Sequence, residues 1–167
     1  YGESQTGWNH TLNEDNYILL PLQNNRLLVA VADGLGGHNA GQIASKLACG
    51  TLYDCAHKGM LDHPEDSGYS IAQSLEAIVL HAHQIIAQRA HAVSAINVMV
   101  CTLSPVIVSA TEAWFCYVGD SRLYRLRGTQ VNQLTTDHSW VQHQIDLGLL
   151  SEVDARKHPL RNVIMRS

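Results

Sequence analysis

Charged residues are scarce in this chain, and the few present do not cluster. Only 16% of the 167 residues are Asp, Glu, Lys or Arg, the net charge is −4, and no basic run exceeds two residues. The electrostatic footprint of a nucleic-acid binder is missing, so no nucleic-acid partner is expected. No apolar run reaches eighteen residues, so no membrane segment is expected within this chain, and no secretory signal pattern is seen. The four cysteines, Cys49, Cys55, Cys101 and Cys116, have neither CxxC spacing nor a histidine at zinc-finger distance. Three of them fall in apolar or helical stretches and read as small buried thiols, which suits a reducing cytoplasm. Ten histidines are scattered, and His81, His83 and His91 read as solvated positions on a helix rather than as ligands. No internal repeat or low-complexity tract divides the chain.

What remains is one domain's length of chain with 46% hydrophobic residues, enough for a sizeable core. Tyr17 to Leu22 and Leu27 to Ala32 read as a hairpin around Gln23-Asn24-Asn25, because asparagine tolerates left-handed backbone. Ile43, Leu47, Leu52 and Cys55 predict a helix from about Ala40 to His57. Gly59 to Gly68 reads as a loop. Ile71, Leu75, Ile78, Val79, Ala82, Ile85 and Ile86 then follow the rhythm of a long amphipathic helix.

Beyond that point the chain predicts strands over Asn97–Leu103 and Val106–Ala110, separated by Ser104-Pro105, then over Glu112–Val118, Leu123–Arg127 and Gln130–Leu134. A helix should begin near Asp137-His138-Ser139 and stop at Gly148, and Ser151-Glu152-Val153-Asp154 should open another. Strands, two central helices, then more strands predict an α+β domain rather than βαβ units.

One segment carries chemistry. The apolar run Leu27 to Ala32 ends on Asp33 and is followed by three glycines within four residues, Gly34, Gly36 and Gly37, and then His38. That pattern predicts a buried strand delivering a carboxylate to its end, then a turn with unusual backbone freedom. Asn13-Glu14-Asp15 precedes the neighbouring apolar run, so two adjacent strands would bring Glu14, Asp15 and Asp33 to one edge. Converging carboxylates repel unless a hard cation neutralises them. Asp-Gly is also a common turn dipeptide, and Asn-Glu-Asp also suits a solvated loop. The pieces taken together, with a helical pattern following, favour a divalent metal site.

Asn13-Glu14-Asp15, Val31 to His38, Val118-Gly119-Asp120-Ser121-Arg122 and Leu134 to Ser139, in this order and spacing, resemble the metal-dependent protein phosphatase family of the 2C type. Ala155 to Ile164 is similar to its bacterial serine/threonine branch. The resemblance implies two antiparallel sheets packed face to face with helix pairs outside, an α-β-β-α layering in which residues 1–167 form a single domain. It implies hydrolysis of phosphoserine and phosphothreonine on proteins by a water activated between two metal ions, opposing a serine/threonine kinase. It assigns Asp33 as the bridging ligand, the Gly34 carbonyl as a further ligand, Glu14 and Asp15 as ligands or holders of metal-bound water, and Asp120 as a secondary ligand of a third ion. From the residues alone Asp120 reads equally as a turn acid. Two or three Mn2+ or Mg2+ ions suit this oxygen set. Arg122 is implied as structural. His38 reads either as an acid assisting the leaving alkoxide or as a cap for the next helix.

Several positions depart from the family pattern. His10 stands where relatives place the arginine that grips substrate phosphate, which a histidine does poorly. Leu35 stands where animal relatives have a histidine, but bacterial relatives also carry an apolar residue there. Met99-Val100-Cys101-Thr102 replaces Met-Gly-Thr-Thr, a change that bears on local packing. The family also continues beyond Ile164 into an Asp-Gly motif and a late Asp-Asn pair, both metal-ligating, which this sequence does not contain. The chain is therefore expected to be a C-terminally incomplete part of a longer phosphatase. The alternative is a catalytically inactive phosphatase-like binding or regulatory module.

Overall fold

The computed structural model describes residues 1–8, 11–36, 39–62, 68–92 and 98–167, and the chain divides into two compact units, Tyr1–Tyr117 and Val118–Ser167. In the first unit β1 (Asp15–Leu22) and β2 (Arg26–Leu35) pair antiparallel. Within the Gln23–Asn25 loop, Asn24 and Asn25 are left-handed, at φ 56° and 55°, under a turn closed by Arg26 N donating to Gln23 O at 3.3 Å. The chain continues through α1 (Ala40–His57), α2 (Gly68–Ala92), β3 (Val100–Cys101), β4 (Ser104–Val108) and β5 (Ala113–Phe115). The sheet runs β1-β2-β4-β5, with β3 extending the β4 side of β2, and every pairing is antiparallel.

Alternation decides which face is covered. Leu28, Ala30 and Ala32 of β2 are buried, whereas Val31 is 50% exposed on the other face. The buried face meets α1, whose Ala40, Gly41, Ala44, Ser45 and Ala48 form a stripe of small residues that lets the helix approach the sheet closely. Ile71, Leu75, Ile78, Ala82 and Ile86 of α2 close the core over α1. Each fully buried Leu or Ile contributes on the order of 2 kcal/mol.

In the second unit β6 (Tyr124–Arg127) and β7 (Gln130–Gln133) form a hairpin, followed by α3 (Trp140–Asp146) and α4 (Glu152–Ala155). Ser139 and Ser151 cap the two helices, accepting from Gln142 N at 3.2 Å and Asp154 N at 3.1 Å. The α+β class with antiparallel sheets is as read from the sequence. The strand boundaries shift, by a residue in the β6–β7 hairpin and by more elsewhere. Of the stretch Asn97–Leu103 only Val100–Cys101 is strand, and residues 93–97 lie outside those described. Ser104-Pro105 opens β4 instead of separating two strands, and Glu112–Val118 shortens to Ala113–Phe115. No helix among the described residues is long and apolar enough to cross a membrane.

Candidate metal centre

The hairpin register sets Asp15 directly opposite Asp33. Side chains so paired lie on one face about 5 Å apart, where like charges destabilise each other. Asp15 is exposed and Asp33 half-buried, and the backbone around both is fixed by specific bonds. Asn13 Oδ1 accepts from Asp15 N at 3.0 Å, while its amide donates to Ser4 Oγ at 2.7 Å. Asp33 N donates to Thr102 Oγ1 at 3.0 Å, and Thr102 N donates to Asp33 O at 2.8 Å. Thr102 is fully buried. It therefore clamps the acid from a position 69 residues away in sequence.

Gly34 does not turn the chain: β2 continues through it to Leu35, paired with Cys101 and Val100. Its smallness serves a different need. A Cβ there would lie 2.0 Å from Gly41 O and 2.7 Å from Glu14 O. A Cβ on Gly41 would in turn lie 2.7 Å from both Glu14 Oε1 and Gly34 O. The Glu14 carboxylate and the Gly34 carbonyl thus converge on the first turn of α1, within a few ångströms of each other. Gly34 N also donates to Glu14 O at 3.2 Å.

The first unit therefore gathers carboxylate and carbonyl oxygens of Glu14, Asp15, Asp33 and Gly34 at one end of a hairpin. This all-oxygen set fits a hard divalent cation such as Mg2+ or Mn2+ and not a thiolate-seeking one. Among the described residues no three Asp, Glu, His or Cys side chains draw together closely enough to hold an ion by themselves. Cysteine chemistry is not on offer beside Asp33. Burial pushes the Cys101 thiol up to about 12, with Cys49 and Asp33 adding to the rise, and pushes Cys49 up to about 11. Both stay protonated at neutral pH. Cys49, Cys55 and Cys101 are buried free thiols and Cys116 is half-buried.

In the second unit Asp120 is half-buried and follows Gly119, whose φ of 106° excludes most side chains. Gly119 N donates to His138 Nδ1 at 3.2 Å, and His138 N donates to Gly119 O at 3.0 Å. Burial, then the charge of Arg166, holds the His138 imidazole below its ordinary 6.5, which keeps Nδ1 an acceptor. Arg122 grips both oxygens of Asp137, at 2.8 and 2.7 Å, and this bond raises its already high pKa further. The structural part expected of Arg122 is thus an ion pair to Asp137. Asp120, Arg122 and Asp137 line a cavity of about 470 Å³ within this unit. His10 and His38 lie outside the described residues.

Sequence reasoning passed over Thr102, Asn13 and Gly41. Asn13 and Thr102 lay inside quoted motifs, but their bonds to the acids had no local signal beyond the Asx spacing of Asn13 and Asp15.

A sequence model of the protein phosphatase 2C family matches residues 7–146. The serine/threonine protein phosphatase PstP of Mycobacterium tuberculosis is 36% identical over 140 residues, covering 84% of this chain and 26% of PstP. The serine/threonine phosphatase Stp of Listeria monocytogenes is 33% identical over 159 residues, covering 93% of this chain and 60% of Stp. The chain thus spans less than two thirds of the length of either relative. A crystal structure of PstP superposes with a TM-score of 0.82 at 30% identity, covering 98% of this chain and 65% of that one. A structure of the PstP catalytic domain in complex with two manganese ions superposes with a TM-score of 0.79 at 29% identity, over 98% of this chain and 64% of that one.

Proposed function

The chain belongs to the protein phosphatase 2C family, and from that premise we propose that it is the metal-binding part of a phosphatase acting on phosphoserine and phosphothreonine in proteins. The observation that carries this reading is the Asp15–Asp33 pair, with Glu14 Oε1 and the Gly34 carbonyl gathered beside the start of α1. Asp33 would hold the metal ions as the bridging ligand, with Asp15, Glu14 and the Gly34 carbonyl as its neighbours, and Asp120 is assigned as a secondary ligand from its sequence position alone. Two or three Mn2+ or Mg2+ ions, when bound, would lower the pKa of an attacking water and neutralise charge on the phosphoryl group. The manganese in the PstP complex supports that choice.

The protein's own part is placement. The Thr102 bonds fix the Asp33 backbone, the Asn13 turn fixes Asp15, and the Gly34–Gly41 contact fixes the carbonyl. His38 is assigned as the acid that protonates the departing serine or threonine oxygen, and His10 as a phosphate contact, both from sequence position. Residues 1–167 are read as one 2C-type domain, working in the cytoplasm against a serine/threonine kinase. Free thiols at all four cysteines are consistent with that compartment.

The test is manganese-dependent hydrolysis of p-nitrophenyl phosphate and a phosphothreonine peptide by the full-length protein. Asp33→Asn removes a bridging charge with almost no change in volume, so activity should fall at least tenfold while the melting curve is kept. A variant that melts normally and retains more than a tenth of wild-type activity refutes the assignment of Asp33. Absence of manganese-dependent turnover in the wild type favours the inactive binding module.

A further inference from the structure

The cavity of about 470 Å³ in the second unit has a wall whose cations are unequally engaged. Arg122 is committed to Asp137. Arg156 and Arg161 also line the cavity, both exposed, and among the described residues neither side chain makes an ion pair or hydrogen bond. Glu152 stands four residues before Arg156, a spacing at which helices commonly pair opposite charges. Yet Glu152 and Arg156 form no ion pair here. Ser139, also on the cavity wall, is 4% exposed; its Oγ accepts from Gln142 N, and its hydroxyl proton has no acceptor among the described residues.

Two uncommitted guanidinium forks and a buried hydroxyl donor around one cavity are a surplus of donors. Arginine presents paired N–H groups that match the two oxygens of a carboxylate or a phosphate. Asp120 and Glu152 share the wall and balance its net charge, which suits a singly charged carboxylate better than a phosphate dianion. The volume falls in the range of small-ligand sites, roughly 300–1,000 Å³, and admits one or two side chains but no folded partner.

We propose that this cavity takes the acidic side chains flanking the phosphorylated residue of a protein substrate, with Arg156 and Arg161 gripping the carboxylates and Ser139 donating to them. The proposal deepens the phosphatase reading and rests on it for the presence of a phosphoprotein.

The test uses the full-length protein with manganese and two phosphothreonine peptides that differ only in carrying flanking Glu or flanking Gln. Wild type should favour the Glu peptide in kcat/KM. The double variant Arg156→Ala, Arg161→Ala should lower the Glu-to-Gln ratio about tenfold, through KM, the scale of a lost charge-assisted hydrogen bond. Lysine at both positions should restore the ratio in part. An unchanged ratio in the alanine variant overturns the proposal. Both arginines are exposed, so circular dichroism should report a normally folded variant. A second measurement, fluorescence anisotropy with the unphosphorylated Glu peptide, should show saturable binding to wild type that the double variant loses. Equal binding to both proteins, or displacement by inorganic phosphate at concentrations that leave chloride controls unaffected, overturns the carboxylate assignment. Failure of wild type to hydrolyse either peptide defeats the phosphatase reading instead, and the anisotropy still decides the cavity.

Discussion

A single methyl group added at Gly34 would stand 2.0 Å from the Gly41 carbonyl oxygen, 2.4 Å from its carbon and 2.7 Å from the Glu14 carbonyl oxygen. All three obstacles are backbone, so no rotamer change relieves them. The first turn of α1, β1 or β2 itself must shift by about an ångström. Overpacking of this kind costs 1–3 kcal/mol, and three backbone contacts at one joint place Gly34→Ala near about 3 kcal/mol. For a chain of this size each kcal/mol moves the melting temperature by about 2–4 °C, so a fall of about 6–12 °C is expected by differential scanning calorimetry. Gly50→Ala supplies the contrast. Gly50 is exposed within α1 and a Cβ there meets nothing within 4 Å, so the better helix former should stabilise by about 0.5–1 kcal/mol. Two glycine-to-alanine changes, one in β2 and one in the helix packed on it, should therefore move the melting point in opposite directions. The Gly34 variant should also bind manganese more weakly by isothermal titration, because the carbonyl proposed as a ligand moves with the strand. A Gly34→Ala melting point within 2 °C of wild type would show that the close approach of α1 to β2 has been misjudged.

Thr102→Val should lower stability by about 1–2 kcal/mol, since the buried Asp33 N–H loses its acceptor, whereas Thr102→Ser should recover most of the loss in the same urea titration. Because His138 is held below 6.5 in the folded protein, its contribution is present above pH 6.5 and is lost as pH falls through the depressed value. The melting temperature should therefore drop more steeply on acidification in wild type than in His138→Gln, and parallel slopes would contradict the assignment. Arg122→Lys gives up the paired fork to Asp137, but Arg122 is 47% exposed, so a thermal melt should register under about 1 kcal/mol.

Local features were the legible ones. The β1–β2 turn could be read because left-handed Asn24 and Asn25 announce themselves in two letters. The bounds of α1 followed from its apolar period, whereas α2 overran the predicted stretch at both ends, to Gly68 and Ala92, past the last residues that periodicity marks. Pro105 looked like a break but stands in β4 one residue before pairing to β5 begins, so its missing N–H is asked for less. At the site, the opposition of Asp15 and Asp33 followed from hairpin register alone. Gly34 was recognised for the wrong reason: flexibility was inferred where the structure needs absence of bulk. The Thr102 clamp joins residues far apart in sequence, and no periodicity reports a bond of that kind.

The proposed ligands of the first unit, Glu14, Asp15, Asp33 and Gly34, all belong to one hairpin of about twenty residues. The entropy of bringing them together is that of closing a short loop, not of folding a domain. Hairpins zip in roughly 1–10 μs. If the hairpin closes first on refolding, these proposed ligands would be gathered before the long-range partner Thr102 arrives, and refolding should then speed up when manganese is present.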